Sequence, residues 1–222
     1  MTLGKDKNMK VTTLDEGIIQ EIGHAFGYYN YDKGEYGLIN AFPSKDSAAE
    51  YICGYSRMTL QGGMLYTTGE NGEGYIAYKL PGQKISLKAS LPLIKALFSS
   101  MKLKELFHFM QIISKGGPGL SKRFDKEKKS YIFVDLVCVR ESYQGQGYMR
   151  KLMNMAFKEG NRLGVPVILD TDAKSKCEKY MHLGMELAGT REFGEYGVLY
   201  DLIKYPDSVS SESKKNKQRD EK

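Results

Sequence analysis

Tyr131-Ile-Phe-Val-Asp-Leu-Val-Cys-Val139, then Arg140-Glu-Ser-Tyr-Gln-Gly-Gln-Gly147, then Tyr148-Met-Arg-Lys-Leu-Met-Asn-Met-Ala-Phe157 is the stretch on which the fold turns. Its first nine residues are almost continuously apolar, as in a buried strand. Residues 140–147 are polar and carry glycine, so they read as a turn. Met149, Leu152, Met153, Ala156 and Phe157 recur at helical spacing and predict a helix over 147–163, ending near Gly164. Val165-Pro-Val-Ile-Leu169 reads as the next strand. Strand, turn, helix, strand is a βαβ unit, and its right-handed crossover sets 131–139 beside 165–169.

The turn carries the chemistry. Glycines at 145 and 147 remove Cβ atoms where the backbone must approach a ligand or take unusual dihedrals. Unpaired N–H groups opening the following helix form an anion site reinforced by the helix dipole. Arg140, Arg150 and Lys151 add positive charge nearby, so the natural guest is a phosphate or pyrophosphate. A dinucleotide fingerprint fails, because position 150 is Arg where the third glycine belongs, and GxxxxGK[ST] is absent.

What remains is Q/R-x-x-G-x-G/A between a strand and a helix, and in this the segment resembles the GNAT acetyltransferase superfamily. Gln144 and Gly147 match, while Met149 stands where Gly or Ala is usual. Downstream, Leu169-Asp-Thr171 ends the next strand. Tyr180-Met-His-Leu-Gly184-Met185 is similar to the family's Tyr-x-x-x-Gly-Phe. The resemblance covers about residues 10–205, and the layout is similar to the puromycin N-acetyltransferase-like branch. It implies an α/β GNAT-like fold: a mixed, mostly antiparallel central sheet with a splayed parallel strand pair, flanked by helices. It also implies acetyl-CoA as co-substrate. The pantetheine arm would lie between the splayed strands on the backbone of Val137 and Val139, with the oxyanion donor an N–H near Cys138 or Val139. The pyrophosphate would sit on Gln144, Gly145, Gln146, Gly147, Tyr148 and Met149, with Arg150 beside it. Tyr180 matches the family tyrosine that protonates the departing CoA thiolate.

Upstream, Thr13-Leu-Asp-Glu16 reads as a capping box for an amphipathic helix over 14–26. Residues 27–37, rich in tyrosine and glycine, read as a loop. A second helix begins near Ser44 or Ser47, and a hairpin pairs 64–68 with 75–78. Residues 89–122 read as an insert of two short helices meeting near Lys102. Their apolar positions are 94/97/98/101 and 103/106/107/110. A cover over the sheet or cleft is preferred to a membrane-surface helix. A helix over 172–183 and strands within 185–191 and 197–204 complete the domain, 1–205. Residues 206–222 read as a disordered polar tail.

The chain has 222 residues and net charge +6, too weak and dispersed to argue for nucleic acid. Cys53, Cys138 and Cys177 allow no disulfide framework or metal spacing. The N-terminus lacks a signal-peptide apolar region and no run reaches membrane-spanning length, so the expectation is a cytoplasmic protein with no membrane partner. No histidine pair has i, i+4 spacing, which argues against a metal site; His24 reads as structural, His108 lies in the insert and His182 falls on another helix face than Tyr180. Cys138 reads as inert core, so direct transfer in a ternary complex to a small-molecule amine is preferred over a cysteine relay. The base stays open among Asp135, Glu70, Glu73, Asp170 and relayed water. Alternation sets Asp135 on the face of Phe133 and Val137. The loop 28–37 and the insert are expected to border the acceptor cleft. A non-catalytic acyl-CoA sensor on the same fold and a peptide or protein N-acetyltransferase are the alternatives.

Overall fold

The computed structural model describes residues 9–69 and 71–207. In chain order the elements are β1 (Met9–Lys10), α1 (Glu16–Gly27), α2 (Lys45–Gln61), β2 (Leu65–Thr67), β3 (Gly74–Lys79), α3 (Leu87–Ser100), α4 (Leu103–Lys115) and α5 (Leu120–Lys126). Then come β4 (Ile132–Val139), α6 (Tyr148–Leu163), β5 (Val167–Thr171), α7 (Lys174–His182), β6 (Glu186–Glu192) and β7 (Val198–Lys204). The expected polar tail lies, from residue 208 on, outside the described residues.

The strands form one seven-stranded sheet in the order β1-β2-β3-β4-β5-β7-β6. β4 and β5 are parallel and every other pair is antiparallel. Alternation along the strands gives each face its own core. On one face Ile132, Val134, Val167, Leu169 and Leu202 pack against Leu152, Met153, Ala156 and Phe157 of α6 and Cys177 of α7. On the other, Leu65, Tyr75, Ala77, Leu136 and Cys138 pack against Ile22 of α1. There, too, Leu120 of α5 meets Ile168 and Ile203.

Three readings of the sequence change. The first helix is capped by Asp15, not Thr13: the Asp15 carboxylate accepts the Gly17 N–H at 2.8 Å. Glu16 does not close a capping box; it turns outward to Arg57 of α2. β5 runs over Val167–Thr171 rather than 165–169, because Pro166 has no N–H and its carbonyl accepts the Ile132 N–H instead. The insert holds a third helix, α5, that no strong periodicity announced. Its apolar stripes pack only in part: Met101 is buried with Leu97 and Leu106 against it, whereas Ile94, Phe98, Leu103, Phe107 and Met110 are exposed.

Candidate active site

β4 and β5 pair only at Ile132↔Val167 and Phe133↔Ile168. Beyond Phe133 they diverge, β4 staying with β3 and β5 with β7. The Arg140 N–H donates to the Glu73 carbonyl, 3.0 Å away. Alternation from that bond commits the Cys138 backbone to Tyr75 across the ladder and turns the backbone groups of Val137 and Val139 toward the gap. The Val139 carbonyl already accepts from Gln144 Nε2 at 3.2 Å.

At the end of the gap, Gly145 and Gly147 have φ of +73° and +80°. That region costs a side-chain-bearing residue about 1–2 kcal/mol. No side chain caps α6 at Gly147 and its first turn holds no acid, so its leading N–H groups stay open to an anion. Arg150 and Lys151 are exposed at this end. Arg140 is not available there: it pairs with Glu21 of α1 at 2.7 Å. Gln146 donates to the Ser142 carbonyl, and Tyr148 packs edge-on against Tyr143.

One cavity of about 630 Å³ joins these parts. It runs from Gln144, Gly145, Gly147 and Met149 along Val134–Val139 and Leu169–Asp172 to Tyr180. It ends among Phe26, Tyr29, Tyr31, Phe42 and Tyr51. Of the residues singled out from the sequence, Val137, Cys138, Val139, Gln144, Gly145, Gly147, Tyr148, Met149 and Tyr180 line it. Gln146 and Arg150 do not.

Asp135 also lines it, through a device the sequence did not announce. Leu136 faces Ala77 and Val134 faces Tyr78, which leaves Asp135 as an extra residue without a partner on β3. This bulge shifts the alternation. Val137 consequently joins the α6 face, while Asp135 turns to the α2 face, where Tyr55 Oη donates to its Oδ1 at 2.6 Å. The expectation that Asp135 shares a face with Val137 is corrected accordingly. Its Oδ2 is buried without a hydrogen-bond partner, and burial raises its pKa to about 6.

Other carboxylates are engaged. Asp170 is bonded by Arg191 at 2.7 Å, and Arg191 also holds the buried Asp201. Burial would raise Asp172, but Lys176 at 2.8 Å and Tyr31 at 2.5 Å outweigh it and hold its carboxyl low. Glu73 does not line the cavity, and Glu70 lies outside the described residues. Burial, with Asp172 nearby, pushes the Tyr180 phenol well above its usual range, so it keeps its proton at neutral pH. Burial likewise pushes the Cys138 thiol up to about 12.

The loop 28–37 borders the cavity as expected, and a long-range cap holds it. Glu35 accepts from Ser175 N and Ser175 Oγ, both at 3.0 Å, on the first turn of α7. Lys176 lies 4.0 Å from the Tyr29 ring centroid. The insert stands one layer back: no residue of 89–122 lines the cavity. Phe109 of α4 instead supports its wall, packing on Phe42 with ring centroids 4.6 Å apart. His24 stacks on Tyr28, and His108 bonds Tyr196 at 2.9 Å.

Residues 116–182 match the family model for the acetyltransferase (GNAT) family. No curated protein matches the chain. Among solved structures, an N-acetyltransferase from Staphylococcus aureus Mu50 aligns at 18% identity and TM-score 0.51. That alignment covers 88% of this chain and 98% of the other. A structure from Corynebacterium glutamicum described as histone acetyltransferase HPA2 and related acetyltransferase aligns at 14% identity and TM-score 0.56, covering 89% and 94%. Arylalkylamine N-acetyltransferase 2 from Aedes aegypti aligns at 15% identity and TM-score 0.51, covering 87% and 96%. These likenesses are of fold, and the segment 116–182 is similar to the GNAT acetyltransferase family.

Proposed function

We propose that this chain, an acetyltransferase of the GNAT type, moves acetyl from acetyl-CoA to a small primary amine by direct attack in a ternary complex. The observation that carries the reading is the single cavity. It joins an open helix N-terminus and a strand gap at one end to a buried carboxylate with one oxygen lacking a partner, and a phenol, at the other. The first-turn amides of α6 would hold the pyrophosphate, and the backbone of Val137 and Val139 would pair with the amide-rich arm as an added strand does.

An alkylammonium must lose a proton before it can attack. Asp135, ionised above about pH 6, takes it at Oδ2. The neutral amine attacks the thioester carbonyl, and the oxyanion accepts a strand N–H at Val137 or Val139. The carbon–sulfur bond then breaks and the thiolate takes the Tyr180 proton, which solvent restores. The amide nitrogen sheds its second proton, so one proton is released per turnover. A thiol held at a pKa of about 12 is a poor nucleophile, which favours direct transfer over an acetyl-cysteine relay.

The aromatic walls suit an amine with an apolar body. The Aedes aegypti neighbour, an arylalkylamine N-acetyltransferase, has an acceptor of that kind. The test pairs thiol release over a panel of aliphatic and aromatic amines with calorimetric CoA binding. Turnover of at least one primary amine is expected, with the acetylated product identified by mass. CoA binding without turnover of any amine would instead mark a sensor.

A further inference from the structure

The packing of α3 is inverted relative to an ordinary surface helix. Its buried residues are Ala89 and Ala96. A Cβ on Gly54 of α2 would stand 2.3 Å from the Ala96 Cβ, so small residues on both sides let the two helices approach closely. Leu97 packs against the cluster of Met101 and Phe109, but four large side chains point the other way. Leu87 is 85% exposed and Phe98 59% exposed, with Leu91 and Ile94 exposed between them. Steps of four, three and four residues set these on one stripe. On α4, Phe109 and Ile112 point inward while Leu103 (74% exposed), Phe107 (67% exposed) and Met110 face solvent. A single exposed apolar side chain is ordinary, but stripes on two consecutive helices mark a contact surface.

The charge around these stripes selects the partner. Lys84, Lys88, Lys95, Lys102, Lys104 and Lys115 are all exposed, and Glu105 is the one carboxylate among residues 84–115. This segment therefore carries net +5 of the chain's +6. Glu105 accepts the Lys102 backbone N–H at 2.7 Å, and none of the six lysines has an ion-pair partner among the described residues. Lys88 and Lys95 flank Leu91 at helical spacing, and Lys104 lies one turn from Phe107. Long lysine stems can follow the apolar stripe while their heads stay at the rim.

We propose that the α3–α4 surface docks on an anionic phospholipid bilayer. Leu87, Phe98, Leu103 and Phe107 enter the headgroup–acyl boundary and the lysines meet lipid phosphates. A second copy of the chain would set lysines against lysines. No helix among the described residues is long and apolar enough to cross a membrane, so the contact is interfacial. The preference for a cover with no membrane partner gives way here to the observed exposure.

The test is co-sedimentation of the full chain with phosphatidylcholine vesicles made with or without phosphatidylglycerol, at low and high salt. Partitioning onto the anionic vesicles is expected to exceed that onto neutral ones by at least about tenfold and to weaken with salt. Phe98→Ser with Phe107→Ser should lower it by about tenfold or more. Lys88→Glu with Lys95→Glu and Lys104→Glu should abolish the anionic preference. All these positions are exposed, so an unchanged thermal midpoint and unchanged turnover of a soluble amine are expected in both variants. Absence of wild-type binding, equal binding to both vesicle types, or variants that bind like wild type would overturn the proposal. So would a wild-type oligomer in sedimentation velocity that the Phe98→Ser/Phe107→Ser variant dissociates, which would make the face a self-interface.

Discussion

Asp135 holds one oxygen against Tyr55 and keeps the other buried without a partner, an arrangement that costs stability when the carboxylate is ionised. Its folded pKa, about 6, stands above the ordinary 3.8. The folded state therefore prefers the protonated form. That preference is fully present below about pH 4 and is lost as pH rises through 6. Asp135→Asn should raise the unfolding free energy relative to wild type by about 2–3 kcal/mol at pH 8 and change it little at pH 4, read by urea melts at both values. The same variant should lose most of its kcat and its acidic limb near pH 6. An unaltered pH–rate profile would remove Asp135 from the base role. Tyr180→Phe keeps the ring and removes the O–H. We expect single-turnover rates to fall about 10²–10⁴-fold with CoA affinity nearly unchanged. Tyr180 could be picked out from the sequence because its spacing to Gly184 is local. Asp135 could only be one candidate of several, because what distinguishes it is Tyr55, eighty positions away on α2.

Elements position these residues by contacts that run between distant segments. The bulge in β4 decides which face Asp135 takes, yet Val134-Asp-Leu136 holds no Gly or Pro to announce it. The bulge is defined by the register against β3, a property of two strands. The cap of α7 is similar: Ala173, at its N-cap, has no capping side chain, and Glu35 supplies one from the loop 28–37. Glu35→Ala should cost about 1 kcal/mol and loosen Tyr29 and Tyr31 at the acceptor end. Acceptor KM should rise several-fold while calorimetric CoA affinity stays within twofold. A change in CoA affinity with acceptor KM untouched would mean that the loop serves the other end of the cavity. The helix α6 was fully legible, from its apolar spacing and the two glycines before it. α5 was not, since seven residues with few apolar positions give no period to read.

For the whole molecule, the proposed CoA site would feed binding into stability, because the cavity is lined by the βαβ unit, the last turn before α6 and the α2 side together. Saturating CoA at about 100 times its Kd should add about 2.7 kcal/mol and raise the thermal midpoint by several degrees. Gly147→Val, strained at φ +80° and crowding the anion site, should lose that shift while still folding. A full CoA shift in this variant would place the pyrophosphate elsewhere. The sequence by itself determined the βαβ unit, the glycine turn and the order of most of the surrounding elements, and it carried the resemblance to GNAT acetyltransferases. These rest on periodicity and backbone permissiveness, which act over a few residues and are written in consecutive positions. The tertiary structure alone decided that Arg140 serves Glu21 rather than an anion, and that Asp170 is held by Arg191 while Asp135 keeps one oxygen on Tyr55 and the other without a partner. It also decided that Ala89 and Ala96 of α3 face the protein while Leu87, Leu91, Ile94 and Phe98 face outward. Each of these depends on what lies across a packing interface, and a hydrophobic stripe has the same spacing whether a neighbouring helix covers it or solvent does.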